Sequence, residues 1–221
     1  MKLLLVGYGR MGQLIETLAP AYGFEVSGIV DVGRDGWSAP ADVAIDFSTA
    51  DALEGHFARY LERRLPVVVG TTGWGGQAAA LQAQAAAAGL GVVASANFSL
   101  GVNLFQRIAE EAARLMQPHA EYGAWLHEAH HAAKRDAPSG TALLLRDAMV
   151  TAGYGRGIDV SSTRAGAIPG THTIGFDGPS DTIELTHTAR DRRGFAAGAL
   201  VAARWVVGRH GWFTMQDVLR G

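Results

Sequence analysis

The chain opens MKLLLVGYGRMG, and this stretch restricts the fold more than any other. KLLLV (2–6) is an apolar run of strand length, and VGYGRMG (6–12) follows it with Gly7, Gly9 and Gly12 spaced G-x-G-x-x-G. From Arg10 to Tyr22, Met11, Leu14, Ile15 and Leu18 then recur at helical spacing. A strand, a glycine turn and a helix in that order begin a βαβ unit. Glycines in such a turn permit a tight bend and a close approach of backbone to ligand. The helix start offers N–H groups and a partial positive charge to a pyrophosphate. Asp31 closes the next apolar run 19 residues after Gly12, near the spacing of about 20 at which an acidic residue meets a ribose diol. The plain alternative is a glycine turn between strand and helix, with Asp31 an ordinary loop residue.

The first half keeps alternating. EVSGIV (25–30), DVAIDF (42–47), PVVVG (66–70) and GVVAS (91–95) read as strands, with helices expected from Asp51 to Arg64 and from Gly76 to Ala88. Short apolar runs separated by helices call for a parallel sheet. The Ala/Gln-rich stretch 77–88 is simplest as a surface helix, since both residues favour helix. The second half changes character. A long helix is expected from Leu100 to Met116, strands near 121–128, 160–165, 171–176 and 181–188, and helices starting at Ser139 and near Gly194. Runs of strands with few helices between them suggest a mainly antiparallel or mixed sheet. The expected fold is therefore α/β: a Rossmann-type parallel sheet in the N-terminal part and an α+β second domain with a mixed sheet, divided near Phe98 to Val102.

The 221 residues, 48% of them hydrophobic, suffice for one large or two small domains with a proper core. A net charge of −2 points away from a nucleic-acid or anionic-membrane surface. The chain has no cysteine, which excludes disulfides, thiolate metal sites and cysteine nucleophiles. No metal centre is expected, and a reducing, cytoplasmic setting fits. The run LLLV near the start is too short for a signal peptide or a membrane span.

The chemistry concentrates in EAHHAAKRDAPSGTA (128–142). His130 and His131 are adjacent, Lys134 follows, and Pro138-Ser139-Gly140-Thr141 is a turn with a good N-cap in Ser139. In a strand the two histidines would point to opposite faces; in a loop they could converge. A helix starting at Ser139 aims free N–H groups at an anion such as a carboxylate, and Lys134 adds a full positive charge. A fixed cation beside an imidazolium disfavours the charged form and makes the ring a better proton donor. The bland readings are a structural histidine, a solvated charged face and a simple capped loop. Read with the glycine turn, the segment suggests a dinucleotide on the N-terminal part and a carboxylate-bearing substrate on the C-terminal part. The turns 70–73 and 95–98 follow the third and fourth of these strands (66–70 and 91–95), and ligands in an open parallel sheet sit outside such carboxyl ends. His119, His127, His172, His187 and His210 have no spacing that assigns them a role.

At this point the sequence resembles the dihydrodipicolinate reductase family (4-hydroxy-tetrahydrodipicolinate reductases) over nearly its whole length. The resemblance runs through VGYGRMG, IDFST (45–49), VVGTTGW (68–74), SANFSLGVN (95–103), the segment 128–142, RAGAIPGTHTIGF (164–176), IELTHTARDRRGFAAGA (183–199) and FTMQDVL (213–219). It implies NAD(P)H-dependent reduction of a cyclic hydroxy-dicarboxylate to tetrahydrodipicolinate with loss of water, in lysine and diaminopimelate synthesis. It implies His130 as proton donor and Lys134 as catalytic lysine, with His131, Ser139, Gly140 and Thr141 around the substrate's carboxylates. For the cofactor it implies Gly7, Tyr8, Gly9, Arg10, Met11, Gly12, Asp31, Gly70, Thr71, Thr72, Ser95, Ala96, Asn97 and Phe98. It further implies a homotetramer joined through the sheets of the C-terminal domains. The nucleotide domain is expected at 1–98 completed by 193–221, the second domain at 99–192, and Arg192 is placed near the site.

The chain departs from the family pattern in three places. The glycine loop is one residue shorter than the commoner form. The connection from Asp31 to Asp42 is short, so a strand and helix of longer members are missing. Val32 stands where arginine is common, which with Asp31 favours NADH over NADPH, although Arg34 is near enough to meet a 2′-phosphate. Two rival readings stay open on the same residues: an oxidoreductase of another small cyclic dicarboxylate, and a non-catalytic sensor of dinucleotide and carboxylate.

Overall fold

A computed structural model describes residues 1–221, and the chain divides into two compact units, 1–100 with 192–221, and 101–191. The first unit is built on β1 (Lys2–Val6), β2 (Glu25–Val30), β3 (Val43–Asp46), β4 (Val67–Val69), β5 (Gly91–Ala94) and β10 (Gly211–Phe213). All pair in parallel, in the order β10-β5-β4-β3-β1-β2. Its strands are apolar on both sides because both faces are covered. Leu3 and Leu5 pack with Ile15 of α1 (Arg10–Leu18) and with Ala199, Leu200 and Ala203 of α6 (Arg193–Val206). Leu4 and Val6 pack with Leu53, Phe57 and Tyr60 of α2 (Ala50–Arg63) and Leu81 and Ala85 of α3 (Ala78–Ala88).

β1 lies between β2 and β3, so the order reverses there. The carboxyl ends at that reversal are where an open α/β sheet leaves a crevice for ligand. The first helix stops earlier than its periodicity predicts: α1 ends at Leu18 and the chain passes into a 3-10 turn at Ala19–Tyr22. Pro20 has no N–H to continue the ladder. The tail holds two elements the periodicity misses. β10 has three residues, too few to show a period. α7 (Met215–Arg220) is short but announced by a capping box, Thr214 with Asp217.

The second unit is a four-stranded mixed sheet, β7 (Ile158–Arg164), β6 (Gly123–His130), β8 (Thr171–Asp177) and β9 (Thr182–Thr188), in that order. β7 is parallel to β6, and the other two pairings are antiparallel. One face carries Ala124, Leu126, Ile174 and Phe176 against Phe105, Ala109 and Ala113 of α4 (Leu100–Met116) and Leu145 and Met149 of α5 (Gly140–Thr151). The other face is polar, with Thr171 bonded to Thr188 and Thr173 to Thr186 across β8 and β9. No helix is long and apolar enough to cross a membrane.

Candidate active site

In the nucleotide unit the glycine turn sits between the ends of β1 and β3. Gly7 has φ +85°, and a Cβ there would lie 2.5 Å from the Phe47 carbonyl oxygen. A Cβ on Gly12 would lie 2.3 Å from the Gly7 oxygen, so these two glycines let the turn close on itself. Gly9 differs, since a Cβ there would meet nothing within 4 Å. It caps α1 without a side-chain bond, and the first turn of α1 carries no acidic residue. The N–H groups of Arg10, Met11 and Gly12 therefore face an open cradle of the kind a pyrophosphate fills.

Asp31 and Arg34 close a tight turn through reciprocal backbone bonds of 3.0 and 2.9 Å, leaving Val32 fully exposed. The Arg34 guanidinium lies 4.6 Å from the centre of the Tyr8 ring, and the Tyr8 hydroxyl bonds Glu16. Both an acid and a cation thus stand beside the glycine turn.

A cleft of about 290 Å³ is lined by Thr71, Thr72, Trp74, Ser95, Ala96 and Trp212, among others. It brings together the turns after β4 and β5, both singled out from sequence. Ser95 Oγ donates to the Asn97 carbonyl at 2.9 Å, and Asn97 Oδ1 accepts from the Ser99 N–H at 2.9 Å. Phe98 is buried, its carbonyl so near α6 that a Cβ on Gly198 would come within 1.7 Å of it.

Sequence reasoning missed Asp46, which holds this end together. Its buried carboxylate accepts from the Ser48 N–H (2.9 Å), Tyr60 OH (2.7 Å) and Thr71 Oγ1 (3.0 Å), with His56 Nδ1 at 3.2 Å. Burial opposes the charge, and the bonds from His56, Ser48 and Tyr60 outweigh it, so the carboxyl sits below its ordinary value. An acid at a strand end among apolar neighbours is the signal that could have found it.

In the second unit His130 is the last residue of β6, two residues later than the expected strand end. His131 begins the turn that follows and is exposed. The two rings are therefore not a convergent pair. His130 is largely covered, at 13% side-chain exposure, with its Nδ1 2.5 Å from Glu128 Oε2. Ser139 caps α5 as expected, its Oγ accepting from the Ala142 N–H at 3.2 Å. The same Oγ lies 3.0 Å from His172 Nε2. Lys134 Nζ contacts Asp136 at 2.8 Å, and Asp136 Oδ2 also accepts from the Gly140 N–H at 3.4 Å. Thr141 lies half-buried in the first turn of α5. Arg192 stands at the start of α6 in the other unit and is exposed.

Sequence reasoning assigned no role to three further residues of this site. Glu128 is completely buried. Burial pushes its carboxyl up, but hydrogen bonds from Arg164, Ser162, His130 and the Ser139 N–H outweigh that and hold it at about 2. Arg164 clasps both Glu128 oxygens, at 2.9 and 2.6 Å. His172 is 4% exposed, and burial, with the nearby His130 charge, lowers its pKa to about 4. Glu128, His130 and His172 offer ligand atoms within 4.8 Å of one another. The Glu128 charge is already met by the Arg164 guanidinium.

Residues 1–98 match the family model for the N-terminus of dihydrodipicolinate reductase, and residues 101–219 that for its C-terminus. The chain is similar to the 4-hydroxy-tetrahydrodipicolinate reductases of Christiangramia forsetii (36% identity, 99% of this chain and 98% of the relative) and Alkalilimnicola ehrlichii (39%, 96% and 95%). Among solved structures it is similar to a dipicolinate-bound dihydrodipicolinate reductase from Paenisporosarcina sp. TG-14, with a TM-score of 0.80 and 21% identity over 97% of both chains. A probable dehydrogenase from Thermotoga maritima shares the fold at a TM-score of 0.67 and 10% identity, over 99% of this chain and 92% of the other. With the glycine cradle in one unit, the His130–Lys134 segment in the other, and both halves matched, the chain belongs to the dihydrodipicolinate reductase family.

Proposed function

We propose that the chain reduces 4-hydroxy-tetrahydrodipicolinate to tetrahydrodipicolinate through the residues of the 128–141 segment, with His130 as proton donor. The observation that carries this reading is the carboxylate of Asp136, which meets both Lys134 Nζ and the Gly140 N–H. These two groups are thus placed to meet one carboxylate, and a substrate carboxylate is recognised by the same chemistry. Ser139, Gly140 and Thr141 provide the helix start, and His131 lies on the exposed side of the turn. His130 gives a proton to the substrate as the ring is reduced and water is lost. When bound, the nicotinamide supplies the hydride.

The cradle at Gly7–Gly12, with Asp31 and the turns at Gly70–Thr72 and Ser95–Phe98, would hold the dinucleotide. NADH is the preferred form, because the Asp31 carboxylate suits a free ribose diol and repels a 2′-phosphate. Arg34, held next to it, leaves NADPH usable. A homotetramer is supported by the polar, threonine-rich sheet face that no helix of its own unit covers. The absence of cysteine accords with a cytoplasmic setting.

Lys134→Ala is expected to raise KM for the substrate roughly 10–100-fold, the worth of one hydrogen bond to a charged group, and to lower kcat as well. Steady-state kinetics at saturating NADH measure it. An unchanged KM would remove Lys134 from carboxylate binding.

A further inference from the structure

The inner face of the second unit's sheet follows a simple alternation until it reaches the site. On β6, Ala124, Leu126 and Glu128 point the same way, and on β8 so do Phe176, Ile174 and His172. They pair as Ala124 with Phe176, Leu126 with Ile174, and Glu128 with His172. Two apolar rungs are thus followed by a rung of two buried titratable groups. The next position, His130, pairs with Arg164 of β7. Burying a carboxylate where the pattern asks for an aliphatic side chain costs stability unless it is fully partnered, and such breaks of a local rule concentrate at functional sites.

We propose that Glu128 is the positioning residue of the proton donor, with Arg164 as its clamp. This rests on the reading of His130 as the acid. The Glu128 carboxylate accepts from His130 Nδ1 on one oxygen and from the Ser139 N–H, at 3.2 Å, on the other. One carboxylate thus fixes both the imidazole and the start of α5. Arg164 also donates to the Asp136 carbonyl at 2.6 Å, which ties the Lys134 turn to the same clamp. With Nδ1 engaged, the ring keeps its Nδ1 proton and Nε2 is the nitrogen that exchanges a proton with substrate. Gly170 leaves room for this ring, since a Cβ there would lie 2.9 Å from His130 Nε2. The charged and titratable groups around the cluster are Glu128 from β6, Arg164 from β7, His172 from β8, His187 opposite it on β9, and Lys134 and Asp136 from the turn. His172 stays neutral and bonds Ser139, so it does not compete for the carboxylate.

Glu128→Gln keeps the shape and removes the charge. It is expected to lower kcat on the order of 10²-fold, as loss of the acid on an imidazole does, with NADH affinity unchanged. The alkaline limb of the kcat/KM profile is expected to move to lower pH, because the imidazolium loses its anion. A purely structural role would move neither the limb nor kcat at full folding. In the His130→Gln background the same substitution is expected to add almost nothing, since the two act as a unit. An equal further loss there would overturn the proposal. Near-normal turnover of His130→Gln alone would instead overturn the acid assignment, which keeps the two failures apart. If Glu128→Gln does not fold, ring-nitrogen NMR of the unaltered protein decides. The signal missing in His130→Gln identifies the ring, and its neutral form should carry the proton on Nδ1. A proton on Nε2 would overturn the proposal.

Discussion

His130→Gln lowers kcat by roughly 10²–10⁴-fold, the usual contribution of a positioned general acid, and leaves NADH affinity close to that of the unaltered chain. The first half of the expectation follows from geometry. The ring ends β6, is largely covered, and is held at Nδ1 by a buried carboxylate. Glutamine fills similar space and can still hydrogen-bond, but it cannot release a proton near neutral pH. The second half follows from the proposed dinucleotide cradle, whose glycines belong to the other unit. Stopped-flow NADH binding with steady-state kinetics separates the two. Near-normal turnover would take the acid role away from His130.

The second large effect contrasts two glycines of one turn. Gly7→Ala puts a Cβ 2.5 Å from the Phe47 oxygen and 2.7 Å from the Ser48 nitrogen, both backbone atoms, at φ +85°. A left-handed alanine costs about 1–2 kcal/mol, and an overpacked methyl about 1–3 kcal/mol more. Thermal unfolding is therefore expected to show a clear loss of stability, along with weaker NADH binding. Gly9→Ala behaves differently. Its backbone is extended (φ −76°, ψ −160°) and a Cβ meets no protein atom within 4 Å. It should leave the unfolding temperature unchanged yet raise the NADH Kd about tenfold or more, some 1.4 kcal/mol or above, because the methyl occupies the space a pyrophosphate needs. Equal NADH affinity in Gly9→Ala would mean that the cradle is not where the dinucleotide sits.

Much of this was legible without coordinates. The glycine spacing, the apolar strands and the Ser139 cap are local signals, each resolved within a turn or two of chain. α4 falls at the bounds its periodicity predicts, and the mixed sheet of the second unit was foreseen from its run of strands. The parts that escaped depend on distant partners. Glu128 opens the quoted segment, but nothing local says that it is buried or that Arg164, 36 residues on, will clamp it. His172 carries no motif, and its meaning comes from the register that sets it opposite Glu128. Asp46 reads as an ordinary strand end until Tyr60 and Thr71 are brought to it from a helix and a turn. The strand end at His130, rather than 128, also mattered. It separates the two adjacent histidines into one held ring and one exposed one, which spacing alone could not decide.

The most direct test of the central claim is a coupled assay of the unaltered chain. The unstable substrate is generated in place from pyruvate and aspartate semialdehyde by its upstream synthase, and nicotinamide absorbance is followed with NADH and then with NADPH. The account predicts rapid, synthase-dependent oxidation of the cofactor, faster with NADH than with NADPH. Absence of oxidation with either, in folded protein that still binds NADH, would contradict it.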